Sequence, residues 1–221
     1  MNAIVKTSGL SRRGVLQGGA LTVAFAFAGV HTGAHAQGAA AARVLDLKEV
    51  DAFLAVNGDG TVTVFCGKVD LGQGLRVAIP QIAAEELGIG LDRIEYVQGD
   101  TALTPDQGRT SGSSGIMRGG TQIRQAAATA RKALVELAAQ RLNVKPDELE
   151  TVDGSVRPRA GGNGIGFAAL LGGRRFELQL DPKAPLKDPK TYTLVGKSLP
   201  RPDVPAKCMG SFTYMQDFSV P

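Results

Sequence analysis

The chain opens its globular part with short apolar stretches of alternating or β-branched character. Residues 52–56 ("AFLAV") and 61–66 ("TVTVFC") predict two strands, and the intervening "NGDG" predicts the turn of a hairpin. From residue 75 the period changes: Ile79, Ile82, Ala83 and Leu87 fall on one helical face, so 75–88 predicts a helix that Gly88 and Gly90 end. Pro80 fits that helix only within its first two turns. "RIEYVQ" (93–98) predicts a third strand. Residues 99–120 are rich in Gly, Ser and Thr and predict a long loop of the kind that is functional or mobile in a compact domain. A helix is predicted over 121–142, with Ile123, Ala127, Leu134, Leu137 and Ala138 as its apolar stripe. "KPDELE" (145–150) starts a short helix and "TVDGSVR" (151–157) a second hairpin. Residues 158–190 are Pro-, Gly- and Lys-rich and predict surface loops around one apolar segment, Ile165–Leu171. Residues 194–221 open a further unit whose apolar positions are expected to lack partners, with Phe212 and Tyr214 alternating near its end. The pattern as a whole predicts an α+β fold, a mixed sheet with packed helices.

The first 36 residues carry a different signal. Arg12 and Arg13 precede a 16-residue apolar stretch, Val15–Val30, and Ala34 and Ala36 form an A-x-A arrangement. A basic start, a short apolar core and a small-residue cleavage site predict a secretory leader, and the arginine pair favours the twin-arginine route to the periplasm. The stretch is short for a membrane span, which needs about 20 residues. Domain boundaries at 1–36, 37–193 and 194–221 follow from this.

The leader alters the charge and the chemistry. Removing Lys6, Arg12 and Arg13 from 25 basic residues leaves 22 against 21 acidic ones, so the formal net charge falls from +4 to +1 and no nucleic-acid footprint remains. His31 and His35, the two histidines, leave with it. That excludes a Ser-His-Asp or Cys-His arrangement in the remainder. Two cysteines make neither a four-thiolate zinc site nor an iron–sulfur spacing. Cys66 lies in an apolar strand and is expected as a buried free thiol, although pairing with Cys208 after export is the alternative.

Two glycine loops remain as candidate chemistry. Gly72-Gln73-Gly74, within "GKVDLGQG", lies just before the helix at 75, where free N–H groups and the helix dipole favour an anion. Gln73 adds an amide that both donates and accepts. Neither the dinucleotide fingerprint nor the P-loop pattern is met, since Val77 holds the fingerprint's last Gly position; a plain tight turn explains the tripeptide as well. The second loop, Thr110-Ser111-Gly112-Ser113-Ser114-Gly115, also precedes a helix and offers hydroxyl and N–H donors to phosphate oxygens, or is a flexible Ser/Gly connection. Two donor-rich loops, each feeding a helix, would suit the two ends of one long anionic ligand.

In order, "GKVDLGQG", "IAAEELG", "VQGDTALTPDQG", "TSGSS" and "RQAAATARKAL" resemble the molybdopterin-binding subunit of the xanthine dehydrogenase/aldehyde oxidase family, in its exported isoquinoline 1-oxidoreductase branch. The likeness runs over about 50–157 and resumes at "VGKSLPRPDVPAKCMGSFTYMQDFSVP", which in the family opens the α/β hammerhead domain. The resemblance implies a molybdenum hydroxylase acting on N-heterocycles or aldehydes. It implies a molybdenum–molybdopterin cofactor, usually as the cytosine dinucleotide, and a small [2Fe–2S] partner subunit. Gln73 matches the glutamine that hydrogen-bonds an oxygen on the metal, Gly72 and Gly74 its flanking glycines, and Thr110 to Ser114 the loop that cradles the pterin and phosphates. "SGSSG" departs from the branch's frequent "SGSRS". The family's glutamate base has no matching position here, so no residue is assigned as catalytic or as a metal ligand; Glu85, Glu86 and Glu95 are expected on solvated faces. The expectation is therefore the N-terminal piece of a large subunit, needing the remainder of that subunit and inactive by itself; the alternative is a non-catalytic exported interaction domain.

Overall fold

The structure, a computed structural model, describes residues 45–219; the predicted leader lies outside them. The described residues form two small sheets and two longer helices. In the first sheet β1 (Leu54–Val56) pairs antiparallel with β2 (Val62–Cys66), with Leu54 opposite Val64. β3 (Ile94–Gln98) then runs parallel to β2, with Val64 opposite Tyr96. A parallel pair needs a crossover, and α1 (Leu75–Leu87) supplies it. The second sheet is antiparallel throughout: β4 (Leu149–Val152), β5 (Ser155–Pro158) and β6 (Ile165–Gly166). Its first turn places Asp153 at φ 47° and Gly154 at φ 73°. Both values are left-handed, as a two-residue hairpin matched to strand twist requires.

The long helix α2 (Thr121–Leu142) packs on α1 and on the second sheet, while α1 packs on the first. Its buried side is mostly small: Ala126, Ala127, Ala130 and Ala138 with Ile123 and Leu134. Small residues here and at Ala83 and Ala84 of α1 let the helices approach closely. Val50, Phe53, Leu54, Val64, Ile79, Leu134 and Phe167 complete one core, each large apolar side chain contributing roughly 1.5–3 kcal/mol on burial. Gly88 ends α1 at φ 71°, and a methyl group there would sit 2.6 Å from the Thr151 carbonyl oxygen. That glycine therefore sets how closely the second hairpin abuts the helix. Among the described residues, no helix is long and apolar enough to cross a membrane.

Three expectations need correction. Residues 176–180 are not surface loop: Phe176 is buried, the Val50 N–H donates to the Leu178 carbonyl, and the Leu180 N–H donates to that of Lys48. A short apolar alternation inside Lys- and Pro-rich sequence thus adds an edge to the core. The predicted loop 99–120 ends early, because Gly115–Gly120 form a π-helical turn running into α2. The largest correction concerns Glu85 and Glu86, which are buried at 2% and 1% exposure and not solvated; Glu95 alone is exposed. The reason is a partner that periodicity cannot show. Residues 185–197 pass as a strap across α1 and α2. Glu85 Oε2 accepts from the N–H groups of Thr193, Leu194 and Val195, and its Oε1 from Lys187 Nζ. Glu86 accepts from the Lys187 N–H and pairs with Arg124 and Arg131.

Beyond the strap, α3 (Phe167–Leu171) is buried, whereas α4 (Val204–Cys208) is not. Met209, Met215 and Phe218 are largely exposed. In this region Phe212 and Tyr214 stack edge-on instead of forming a strand.

Candidate functional site

The two glycine loops meet. β2 ends at Cys66, and the chain turns through 67–74 before α1; the second loop, 107–114, precedes the π-turn that leads into α2. Because α1 and α2 pack together, the segments that feed them are brought side by side. Three groups of hydrogen bonds join them. Gln107 Oε1 accepts from the Gly67 N–H at 2.8 Å and from the Cys66 thiol at 3.2 Å, while its Nε2 donates to Gln122 on α2. Thr110 Oγ1 accepts from the Val69 N–H at 2.9 Å. Lys68 Nζ donates to the Gly108 and Arg109 carbonyls and to Ser114 Oγ. Gly67 permits this contact, since a methyl group there would lie 2.1 Å from the Pro105 carbonyl oxygen.

In the first loop, one expectation changes. The N–H groups before α1 are not free: Asp70, its side chain 1% exposed, takes them. Its Oδ1 accepts from Gly72 at 2.8 Å and Gly74 at 3.1 Å, and its Oδ2 from the Arg76 N–H and Nε. The chain thus supplies its own anion to the start of α1, a side-chain cap placed four residues upstream of Gly74. Burial alone would raise the Asp70 carboxyl; the donors from Arg76, Gly72 and Gly74 outweigh it and hold it below the usual range. Gln73 is exposed. Its Oε1 accepts from the Leu71 N–H at 2.6 Å and its Nε2 reaches the Val69 carbonyl at 3.3 Å, which leaves one amide proton to donate outward. From far along the chain, Arg201 donates to the Gly72 carbonyl while gripping Asp203.

The second loop is the open one. Gly108, Gly112 and Ser113 have left-handed backbones, at φ 71°, 56° and 57°. Methyl groups added at Gly72, Gly108 or Gly112 would meet no atom within 4 Å. Ser111, Gly112 and Ser113 are exposed, and among the described residues their N–H groups make no hydrogen bond within the chain. Ser114 is different: it is buried and spent on Lys68 and Arg109. Thr110, half-buried, is a loop-to-loop tie. The predicted site residues are therefore brought together but divide into two kinds. Gln73, Ser111, Gly112 and Ser113 present free donors on an open rim, with Gly72 giving close access. Gly74, Thr110 and Ser114 hold the rim's shape.

Lys68, Asp70, Gln107 and Arg201 escaped the reading of the sequence. Lys68 and Asp70 had a signal, as charged residues lodged between an apolar strand and a glycine turn. Arg201 had none at a distance of 129 positions from Gly72. Among the described residues, no group of three His, Cys, Asp or Glu is placed to hold a metal. A cleft of about 730 Å³ lies elsewhere, lined by residues that include Arg131, Lys132, Glu150 and Arg159.

The donor set of the rim, neutral amides and hydroxyls around glycines with clear space above them, fits a large flat ligand with phosphate groups. Residues 11–203 match the model of the molybdopterin cofactor-binding domain. A subunit of the nicotinate dehydrogenase of Pseudomonas putida is 42% identical over 174 residues, covering 79% of this chain and 15% of that protein. The beta subunit of isoquinoline 1-oxidoreductase from Brevundimonas diminuta is 29% identical over 259 residues, covering 99% of this chain and 33% of that protein. The solved structure of quinoline 2-oxidoreductase from Pseudomonas putida 86 superposes with a TM-score of 0.48 at 29% identity, over 54% of this chain and 15% of that one. The chain thus spans a third or less of the length of these curated relatives. It belongs to the molybdopterin cofactor-binding domain family.

Proposed function

We propose that this chain is the part of a molybdenum hydroxylase large subunit that holds one side of a molybdopterin cofactor. The observation that carries the proposal is the joining of the two glycine loops into one open rim at the entrances of two packed helices. Gln73 would donate its remaining amide proton to the metal end of the group. Ser111, Gly112 and Ser113 would donate to the pterin and phosphates, in a cytosine dinucleotide form. When bound, the cofactor supplies the redox centre for introducing a water-derived oxygen at a carbon of an N-heterocycle or aldehyde. The chain's own residues bind and orient; Asp70 and Lys68 keep the rim in place. A proton acceptor for that chemistry, and a small [2Fe–2S] subunit to carry electrons away, come from outside residues 1–221. Delivery to the periplasm by the twin-arginine route accords with Arg12 and Arg13, since that route exports proteins already folded around cofactors. Residues 194–221 are the opening of a hammerhead unit.

The test is metal and pterin content. The chain is expressed in a host that makes the dinucleotide cofactor, together with the downstream large-subunit region and the iron–sulfur subunit. Near-stoichiometric molybdenum is expected, with a loss of at least tenfold in the Ser111→Pro and Gly112→Val variants. Full molybdenum content in both variants would show that the rim does not hold the cofactor.

A further inference from the structure

Lys68 is 2% exposed and differs from the other buried charges. Asp70, Glu85, Glu86 and Asp203 are each paired with a cation. Lys68 makes no ion pair among the described residues. Its Nζ is held at 3.1, 2.7 and 3.2 Å by three neutral acceptors, the carbonyls of Gly108 and Arg109 and the Ser114 hydroxyl. Those acceptors account for all three of its protons. Gly119 closes over its stem, for a methyl group there would lie 2.8 Å from Lys68 Cγ. Buried charges in proteins are ordinarily paired, and a cation removed from water without an opposite charge is costly.

The peptide geometry shows where that charge is directed. The peptides here are trans, so each carbonyl and the N–H of the following residue point in opposite directions. With the Gly108 and Arg109 carbonyls turned in toward Lys68, the N–H groups of Arg109 and Thr110 are turned out, and neither makes a hydrogen bond within the chain among the described residues. Two consecutive peptide dipoles are therefore aligned from the ammonium to the open side of the loop, where outward N–H groups form an anion-binding concavity.

We propose that Lys68 is a positioning residue: it orients the 108–110 peptides so that the Arg109 and Thr110 N–H groups receive a phosphate of the ligand, whose negative charge balances the buried ammonium. The proposal rests on the cofactor-holding function above. It adds a phosphate subsite beside Ser111–Ser113 and assigns its electrostatic support.

The test uses the full chain and inorganic pyrophosphate as probe, by calorimetry across a salt series and by amide NMR. Wild type should bind pyrophosphate, with the Arg109 and Thr110 amides showing the largest downfield shifts. Lys68→Met keeps the stem and removes the charge; it should weaken binding at least tenfold and flatten the salt dependence. Lys68→Arg should restore most of the salt dependence, which a merely structural tie would not predict. Equal affinity in wild type and Lys68→Met would overturn the proposal and leave the cofactor function standing. Should Lys68→Met fail to fold, the wild-type spectra decide, because shifts confined to residues away from 108–114 would overturn it equally. If wild type neither binds pyrophosphate nor retains molybdenum in the content assay above, both proposals fall together.

Discussion

Replacing Glu85 by alanine should release the 191–197 end of the strap while leaving the rest of the fold standing. The carboxylate is 2% exposed and accepts three consecutive N–H groups, from Thr193, Leu194 and Val195, together with the Lys187 ammonium. Hydrogen bonds to a charged group contribute roughly 1.5–3 kcal/mol each, so the three backbone bonds alone hold the strap by about 5 kcal/mol. The 185–187 end is tied separately, by Glu86 to the Lys187 N–H and by Arg124 and Arg131 to the Lys187 and Pro185 carbonyls, whereas around 193–195 Thr191, Thr193 and Gly196 are exposed and Gln81 adds two contacts to the Leu194 and Lys197 carbonyls. Once the acceptor is gone, the freed N–H groups find water by letting the strap lift. The cost is then local opening and not global unfolding. Native-state hydrogen exchange should show protection at 193–195 falling on the order of several thousandfold, since each 1.4 kcal/mol is tenfold. Protection at the β2 and α2 core amides should change by less than tenfold. Brief trypsin treatment should cut at Lys190 and Lys197 in the variant before wild type. Unchanged exchange at 193–195 would refute the view that this one carboxylate holds the strap.

Asp70→Asn keeps an acceptor but loses the charge at the start of α1, and should cost about 2 kcal/mol in urea unfolding, within the range for caps and helix-dipole partners. Asp70 and Glu85 are both held below the usual carboxylate range because their N–H donors outweigh burial. Depressed folded-state values stabilise above the unfolded value near 4, so the midpoint temperature should be flat above about pH 5 and fall as the pH drops below about 4, less steeply in Asp70→Asn. Gly67→Ala forces a methyl group to within 2.1 Å of the Pro105 carbonyl oxygen; overpacking of this kind should cost about 3 kcal/mol, or a fall of about 6–12 °C in Tm for a domain of this size. Burial raises the Cys66 thiol, while Cys208 is free and exposed. A thiol reagent should therefore titrate one group within seconds and the second only on unfolding.

The local elements were legible in the sequence, because each is dictated by neighbours in the chain. Period-2 and period-3.6 patterns placed β2, α1, β3 and α2 to within a residue or two, and Asp153-Gly154 announced a turn that needs two left-handed residues. The glycine loops could also be found, since Gly72, Gly112 and Gln73 stand in a motif read along the chain. What periodicity could not decide was the environment of charged side chains. Glu85 and Glu86 look like any solvated pair on a helix until a segment 100 residues later crosses over them and supplies N–H groups and an ammonium. Asp70 turns an apparently free helix start into a filled one, and Lys68 becomes a buried cation only because the second loop folds down over it. The desolvation of a charge and the offsetting of its cost both depend on groups remote in sequence. Local pattern therefore located the loops, but only the tertiary structure decided which of their donors remain open to a ligand.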